Sequence, residues 1–184
     1  MNVITISRQL GSLGCEVANQ VASRLNYRLV WRDLINQAAM RSGAPEAALA
    51  TIDDLGILGI SPTASDHRAY IAAVEAVMKE VAGEGNVVMV GRAGQMILHN
   101  WPNVLHVQVV APFDIRIQRV ADAQSIVIKA AKAQVEASDA HRRKYLKRFY
   151  HVNWEDSSLY DLTVNTARLT IADAADLICL RSRQ

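Results

Sequence analysis

Near its start the chain carries the segment Arg8-Gln9-Leu10-Gly11-Ser12-Leu13-Gly14-Cys15-Glu16, and its residue types suggest phosphate chemistry. It joins an apolar run, Met1-Asn2-Val3-Ile4-Thr5-Ile6-Ser7, to a helical pattern with Val17, Val21, Ala22 and Leu25 on one face. Strand, glycine turn and helix in that order aim main-chain N–H groups and the positive end of a helix at an anion. The usual phosphate loop reads G-x-x-x-x-G-K-S/T. Counted from a strand end at Ile6-Ser7, Arg8 falls at the first glycine and Leu13 at the second, with Gly14 at the lysine and Cys15 at the hydroxyl residue. No position matches literally. Two readings stay open from the loop: a phosphate cradle, or an ordinary strand-to-helix turn.

Other chemically capable residues are less pointed. Arg142, Arg143, Lys144, Lys147 and Arg148 crowd one stretch. Such a run is most simply a solvated helix face; in a phosphoryl-transfer enzyme it would belong to a lid. His67, His99, His106, His141 and His151 show no metal-ligand spacing, and His106 reads as a core residue on a strand. Cys15 reads as a small packing residue, with a redox-sensing thiol at a helix N-terminus as the alternative.

The elements that must position these residues form an alternating series. Arg28–Trp31, Asn86–Val90, Val104–Val110 and Leu162–Val164 read as strands, together with the N-terminal run. Near-continuous apolar strands imply burial on both faces, hence a parallel sheet under helices. Val74, Val77, Met78 and Val81 share a helix face, as do Ile171, Ala174, Ala175 and Ile178 behind a capping box of Thr170 and Asp173. Strand–helix alternation of this kind predicts a doubly wound α/β domain. Ser42–Asp66, with Gly43, Pro45, Gly56, Gly59 and Pro62, is expected to lack regular structure, and Ala121–Tyr150 is expected to be one long helical stretch.

Composition excludes several classes. The 184 residues suffice for one domain with a full core. Half are apolar (51%), yet no run approaches the ~20 residues of a membrane span. A net charge of +2 is too small to imply a nucleic-acid partner. Met1-Asn2-Val3 has no basic segment ahead of an apolar one, so no secretory signal is expected. Cys15 and Cys179 suggest reduced thiols in a cytoplasmic protein rather than a disulfide framework.

An ordered set of residues resembles the cytidylate kinase-like family, a branch of the P-loop nucleoside monophosphate kinases. It runs through Ile4–Gln9, Gly11-Ser12, Gly14 and Glu16, then Leu34-Ile35, Val90-Gly91-Arg92, Pro102–Val107, Ala111-Pro112, and Arg116 with Arg119. It ends with Asp139, Arg142, Tyr145, Tyr150, Trp154, Asp156, Tyr160-Asp161-Leu162 and Asn165-Thr166. The resemblance implies a three-layer α/β/α fold with a five-stranded parallel sheet and a helical lid. Within a single domain, 1–184, the core would be 1–35, 84–120 and 158–184, the acceptor-binding insert about 36–83, and the lid about 121–157. It implies phosphoryl transfer from ATP, with Mg²⁺ held mostly through water, to CMP or dCMP. Nucleotides would be the partners, without nucleic acid or membrane, and with room for a homodimer.

Residue by residue, Gly11, Ser12, Leu13, Gly14, Cys15 and Glu16 would form the phosphate loop, and Asp161 would lie near the donor base. Asp33 and Arg92 would bind the acceptor. Arg8, Arg116, Arg119 and Arg142 would neutralise the group in transit. The chain departs from the family pattern at Leu13-Gly14-Cys15-Glu16, where Gly-Gly-Arg-Glu is common. Leu13 places a Cβ where positive φ is called for, at a cost of roughly 1–2 kcal/mol. Cys15 is a poor partner for Mg²⁺, which prefers hard oxygen ligands. Trp31 replaces an acidic residue, with Asp33 close by. These substitutions open a second reading, a kinase-derived nucleotide-binding protein without turnover. A third is a kinase for another acceptor.

Overall fold

Runs of valine and isoleucine build five strands, and each strand runs parallel to its neighbours. The computed structural model describes residues 2–31, 36 and 64–183. Strands β1 (Val3–Arg8), β2 (Arg28–Val30), β3 (Val87–Val90), β4 (Val104–Val110) and β5 (Leu162–Asn165) form one sheet in the order β2-β3-β1-β4-β5. The described helices are α1 (Gly14–Leu25), α2 (Ala64–Glu84), α3 (Gly94–Ile97), α4 (Phe113–Gln124), α5 (Ile128–Tyr150) and α6 (Ile171–Arg181).

The two-residue period of the strands divides the core. Val3, Val30, Val87 and Met89 pack with Tyr70, Val74 and Met78 of α2. Their neighbours Ile4, Ile6, Val88 and Val90 pack on the other face with Val17 and Val21 of α1 and Ala174 and Ile178 of α6. Each such side chain contributes about 1.5–3 kcal/mol on burial, so a one-residue slip of any strand is heavily penalised. The expected three layers are present. His106 is a core residue as expected: its Nδ1 meets Thr5 Oγ1 at 2.7 Å, and burial holds the imidazole pKa below its ordinary value. The predicted capping box opens α6, with Asp173 N donating to Thr170 Oγ1 at 3.1 Å.

Two expectations about elements need correction. The Ala121–Tyr150 stretch is two helices, not one. Ser125 takes a left-handed conformation (φ 53°), and Ile126 N donates back to Ala121 O at 3.0 Å, closing α4. Ile126 then packs on Ile117, Val120 and Ala121, the hydrophobic contact that often accompanies such an ending. Serine is not the residue that usually advertises it. Ala64–Asp66, expected within irregular structure, already belong to α2, whose Tyr70, Val74 and Met78 pack on one face of the sheet. The rest of that segment, Leu34-Ile35 and the acceptor residue Asp33 lie outside the described residues. Among the described residues, no helix is long and apolar enough to cross a membrane.

Candidate active site

The loop after β1 has its carbonyl oxygens occupied by hydrogen-bond donors. Gln9 O accepts from Ser12 N at 3.2 Å and from Ser12 Oγ at 2.8 Å. Leu10 O accepts from Arg116 Nη1 at 3.4 Å, and Gly11 O from Arg119 Nη1 at 3.4 Å. Ser12 O accepts from Thr166 Oγ1 at 2.8 Å. Three successive carbonyls, those of Leu10, Gly11 and Ser12, are therefore held from outside the loop. The amides of Leu13, Gly14, Cys15 and Glu16 meet no acceptor among the described residues, and no side chain caps α1. An open helix N-terminus with its dipole behind it suits an anion.

The turn depends on two glycines and tolerates one strained leucine. Gly11 has φ 77°, and a Cβ there would lie 2.6 Å from Arg116 O. At Gly14 a Cβ would lie 2.5 Å from Arg8 Cβ. Leu13 has φ 59° and ψ 21°, the left-handed conformation anticipated for it. Leu13→Gly is therefore expected to raise stability, by up to about 1 kcal/mol, in equilibrium urea unfolding. A clear fall would mean that contacts of the half-buried leucine outweigh the strain.

Beside the loop, between the ends of β1 and β3 and helix α5, lies a cleft. It is lined by Ser7, Arg8, Arg92, Gln95, His141, Arg142, Tyr145 and Trp154, among others. The sheet brings the first of these together: Ile6 pairs with Val90, so Ser7 and Arg8 emerge beside Gly91 and Arg92. Gly91, Arg92 and Ala93 all have positive φ (84°, 54° and 54°), a strained turn of the sort found where a side chain must be aimed. From α5, Arg142 bonds to Ser138 Oγ and lies over the Trp154 ring with its guanidinium carbon 5.7 Å from the centroid. Trp154 is anchored in turn, its Nε1 donating to Ser7 Oγ at 3.0 Å. Burial raises the Tyr145 pKa, and the nearby charge of Arg92 opposes the rise. Among the described residues no carboxylate lines this cleft.

Several expected site residues do not face the cleft. Arg116 is buried, with Nε on Ala111 O at 3.1 Å and its guanidinium bonded to both Asp139 oxygens, at 2.8 and 3.2 Å. Arg119 gives Nη1 and Nη2 to Thr166 Oγ1 and O, both at 2.9 Å. Both arginines brace the loop from its outer side, through Leu10 O, Gly11 O and Thr166. Asp161 also lies outside the cleft. It precedes β5 and accepts from His106 N at 2.7 Å, while Thr166, after β5, reaches the loop. The strand between them spans roughly 13 Å, so Asp161 stands at the start of β5, level with His106 and Thr5, while Thr166 stands at its far end. In the basic run of α5, Arg142 joins the cleft, whereas Arg143, Lys144, Lys147 and Arg148 are exposed. Ser7, Gln95 and His141 join the cleft without having been singled out as site residues. Ser7 has a usable signal, its place beside Arg8; Gln95 has none.

Mg²⁺ finds little protein to hold it. Among the described residues no group of three or more His, Cys, Asp or Glu side chains is placed to hold a metal. Cys15, at the hydroxyl position, offers a soft thiol, and Glu16 is exposed on the first turn of α1. The described residues do not form a metal site of their own, and with them a phosphate-bound ion would take its ligands from phosphate oxygens and water.

The model of the cytidylate kinase-like family matches residues 3–168 of this sequence. The chain belongs to that family. A cytidylate kinase of Methanocaldococcus jannaschii is 26% identical over 96% of this chain and 94% of its own length. One from Sulfolobus acidocaldarius is 28% identical over 95% and 91%. Among solved structures, an uncharacterized protein from Eubacterium ventriosum aligns over 100% of this chain and 99% of its own with a TM-score of 0.80 at 21% identity. Shikimate kinase from Acinetobacter baumannii aligns over 100% and 95% with a TM-score of 0.57 at 11% identity. At these identities the structural likenesses speak for the fold, that of the P-loop kinases. The chain keeps the strand–loop–helix unit, with Gly14 and Cys15 at the positions that hold a lysine and a hydroxyl residue in the usual phosphate loop. Family and fold together support nucleotide kinase function.

Proposed function

We propose that the protein transfers the γ-phosphoryl group of ATP to a nucleoside monophosphate, with CMP or dCMP as the acceptor. One observation carries the reading: loop amides with no acceptor among the described residues stand next to a cleft into which Arg8, Arg92 and Arg142 converge. The names of the relatives point to cytidine nucleotides. In this reading the amides of residues 13–16 hold the donor phosphates, Arg92 holds the acceptor phosphate, and Arg142 closes over the group in transit from α5. An oxygen of the acceptor phosphate attacks the γ-phosphorus. The bond from that phosphorus to the bridging β–γ oxygen breaks, leaving ADP and a nucleoside diphosphate. The attacking oxygen is already ionised, so no general base is required, and positioning with positive charge does most of the catalysis.

A second reading, nucleotide binding without turnover, is favoured by Gly14 and Cys15 at the lysine and hydroxyl positions. A coupled ADP-release assay over a panel of monophosphates, paired with calorimetric ATP titration, separates the two. Turnover restricted to CMP and dCMP supports the proposal. Tight ATP binding with no turnover on any acceptor supports the second reading. Absence of ATP binding overturns both.

A further inference from the structure

We propose that Arg8 does the work of a phosphate-loop lysine from the opposite end of the loop, and that Gly14 lacks a side chain because Arg8 occupies its space. The inference rests on the kinase reading and deepens it. Gly14 holds the register of the missing lysine, and a Cβ there would lie 2.5 Å from Arg8 Cβ and 3.0 Å from Arg8 Cγ. The Arg8 stem thus crosses the first turn of α1 where a side chain from position 14 would start. Its Nη1 continues to within 3.3 Å of the point a Cβ on Gly91 would occupy, beside Arg92. The guanidinium therefore stands between the loop amides and the acceptor side of the cleft. A phosphoryl group leaving the loop for an acceptor at Arg92 must pass it. The sequence has lost a lysine, but the site retains a cation. A guanidinium in that place also offers two parallel N–H donors where an ammonium offers a point charge. Side chains at positions 8 and 14 exclude each other, and that exclusion makes the idea testable apart from catalysis.

The experiment compares wild type, Arg8→Gln, Gly14→Lys and the double variant Arg8→Gly with Gly14→Lys. Each is read by thermal unfolding, calorimetric titration with the β,γ-imido analogue of ATP and with AMP, and turnover on CMP. Arg8→Gln should melt like wild type, lose about a hundredfold in kcat/KM, and bind the imido triphosphate more weakly with little change for AMP. Gly14→Lys should melt at a lower temperature. The double variant should recover that melting temperature and at least about tenfold of the lost triphosphate affinity. Wild-type binding and turnover in Arg8→Gln would overturn the proposal, as would a Gly14→Lys protein as stable as wild type. If wild type binds the imido triphosphate yet phosphorylates no monophosphate, the kinase reading falls while the affinity comparison still decides the role of Arg8. If wild type binds no triphosphate, both fall.

Discussion

Arg92→Gly is expected to lower kcat/KM for the monophosphate acceptor by about 10²–10³ while leaving the fold intact. Most substitutions of a cleft residue confound chemistry with folding, and this one separates them. Arg92 sits at φ 54°, where a residue with a Cβ is strained and glycine is not. Removing the side chain therefore relieves the backbone as it deletes the guanidinium. That relief offsets stability lost with the side chain's own contacts, so the variant should remain folded, as a cooperative melting transition would show, even as acceptor use collapses. Calorimetric titration with ATP should stay close to wild type, because the loop amides at residues 13–16 do not depend on Arg92. Arg92→Lys, which keeps the charge but loses the planar fork, should fall between. Unchanged kcat/KM in Arg92→Gly would remove the acceptor phosphate from this turn. An equal loss of ATP affinity would place Arg92 on the donor side instead.

Asp139→Ala should destabilise the protein by about 3–5 kcal/mol in equilibrium urea unfolding. Arg116 and Asp139 form a bidentate pair in which the side chains are 4% and 9% exposed. Removing the carboxylate leaves a guanidinium buried without its counter-charge, and that desolvation is the larger part of the loss. Replacing both partners by apolar residues of similar volume, Arg116→Met with Asp139→Leu, should recover most of the stability. The same double variant also releases Leu10 O and Ala111 O, which Arg116 holds. Its triphosphate affinity should therefore stay below wild type. A single Asp139→Ala variant as stable as wild type would show that the pair does not brace the loop.

The local pattern of this chain was enough for its skeleton. The valine run 104–110 coincides with β4, the Thr170–Asp173 box opens α6, and Leu13 takes the left-handed conformation that its place in the loop demanded. Strand period, capping chemistry and φ preference are near-neighbour effects, so they can be read along the chain. The end of α4 escaped because Ser125 adopts a conformation that glycine would have signalled.

The roles of charged residues were harder to read, since an arginine looks the same whether it faces a phosphate or a carbonyl. Arg8, Arg92 and Arg142 converge on one cleft, whereas Arg116 and Arg119 turn to the back of the loop, towards Asp139 and Thr166. Asp161 lies before β5 and Thr166 after it, so they stand at opposite ends of that strand, one on His106 and the other on the loop. Which partner each charge takes depends on residues roughly twenty to a hundred and fifty positions away, brought near by strand order and helix packing. The elements are written in short-range order; the use of their charges is settled only when distant segments meet.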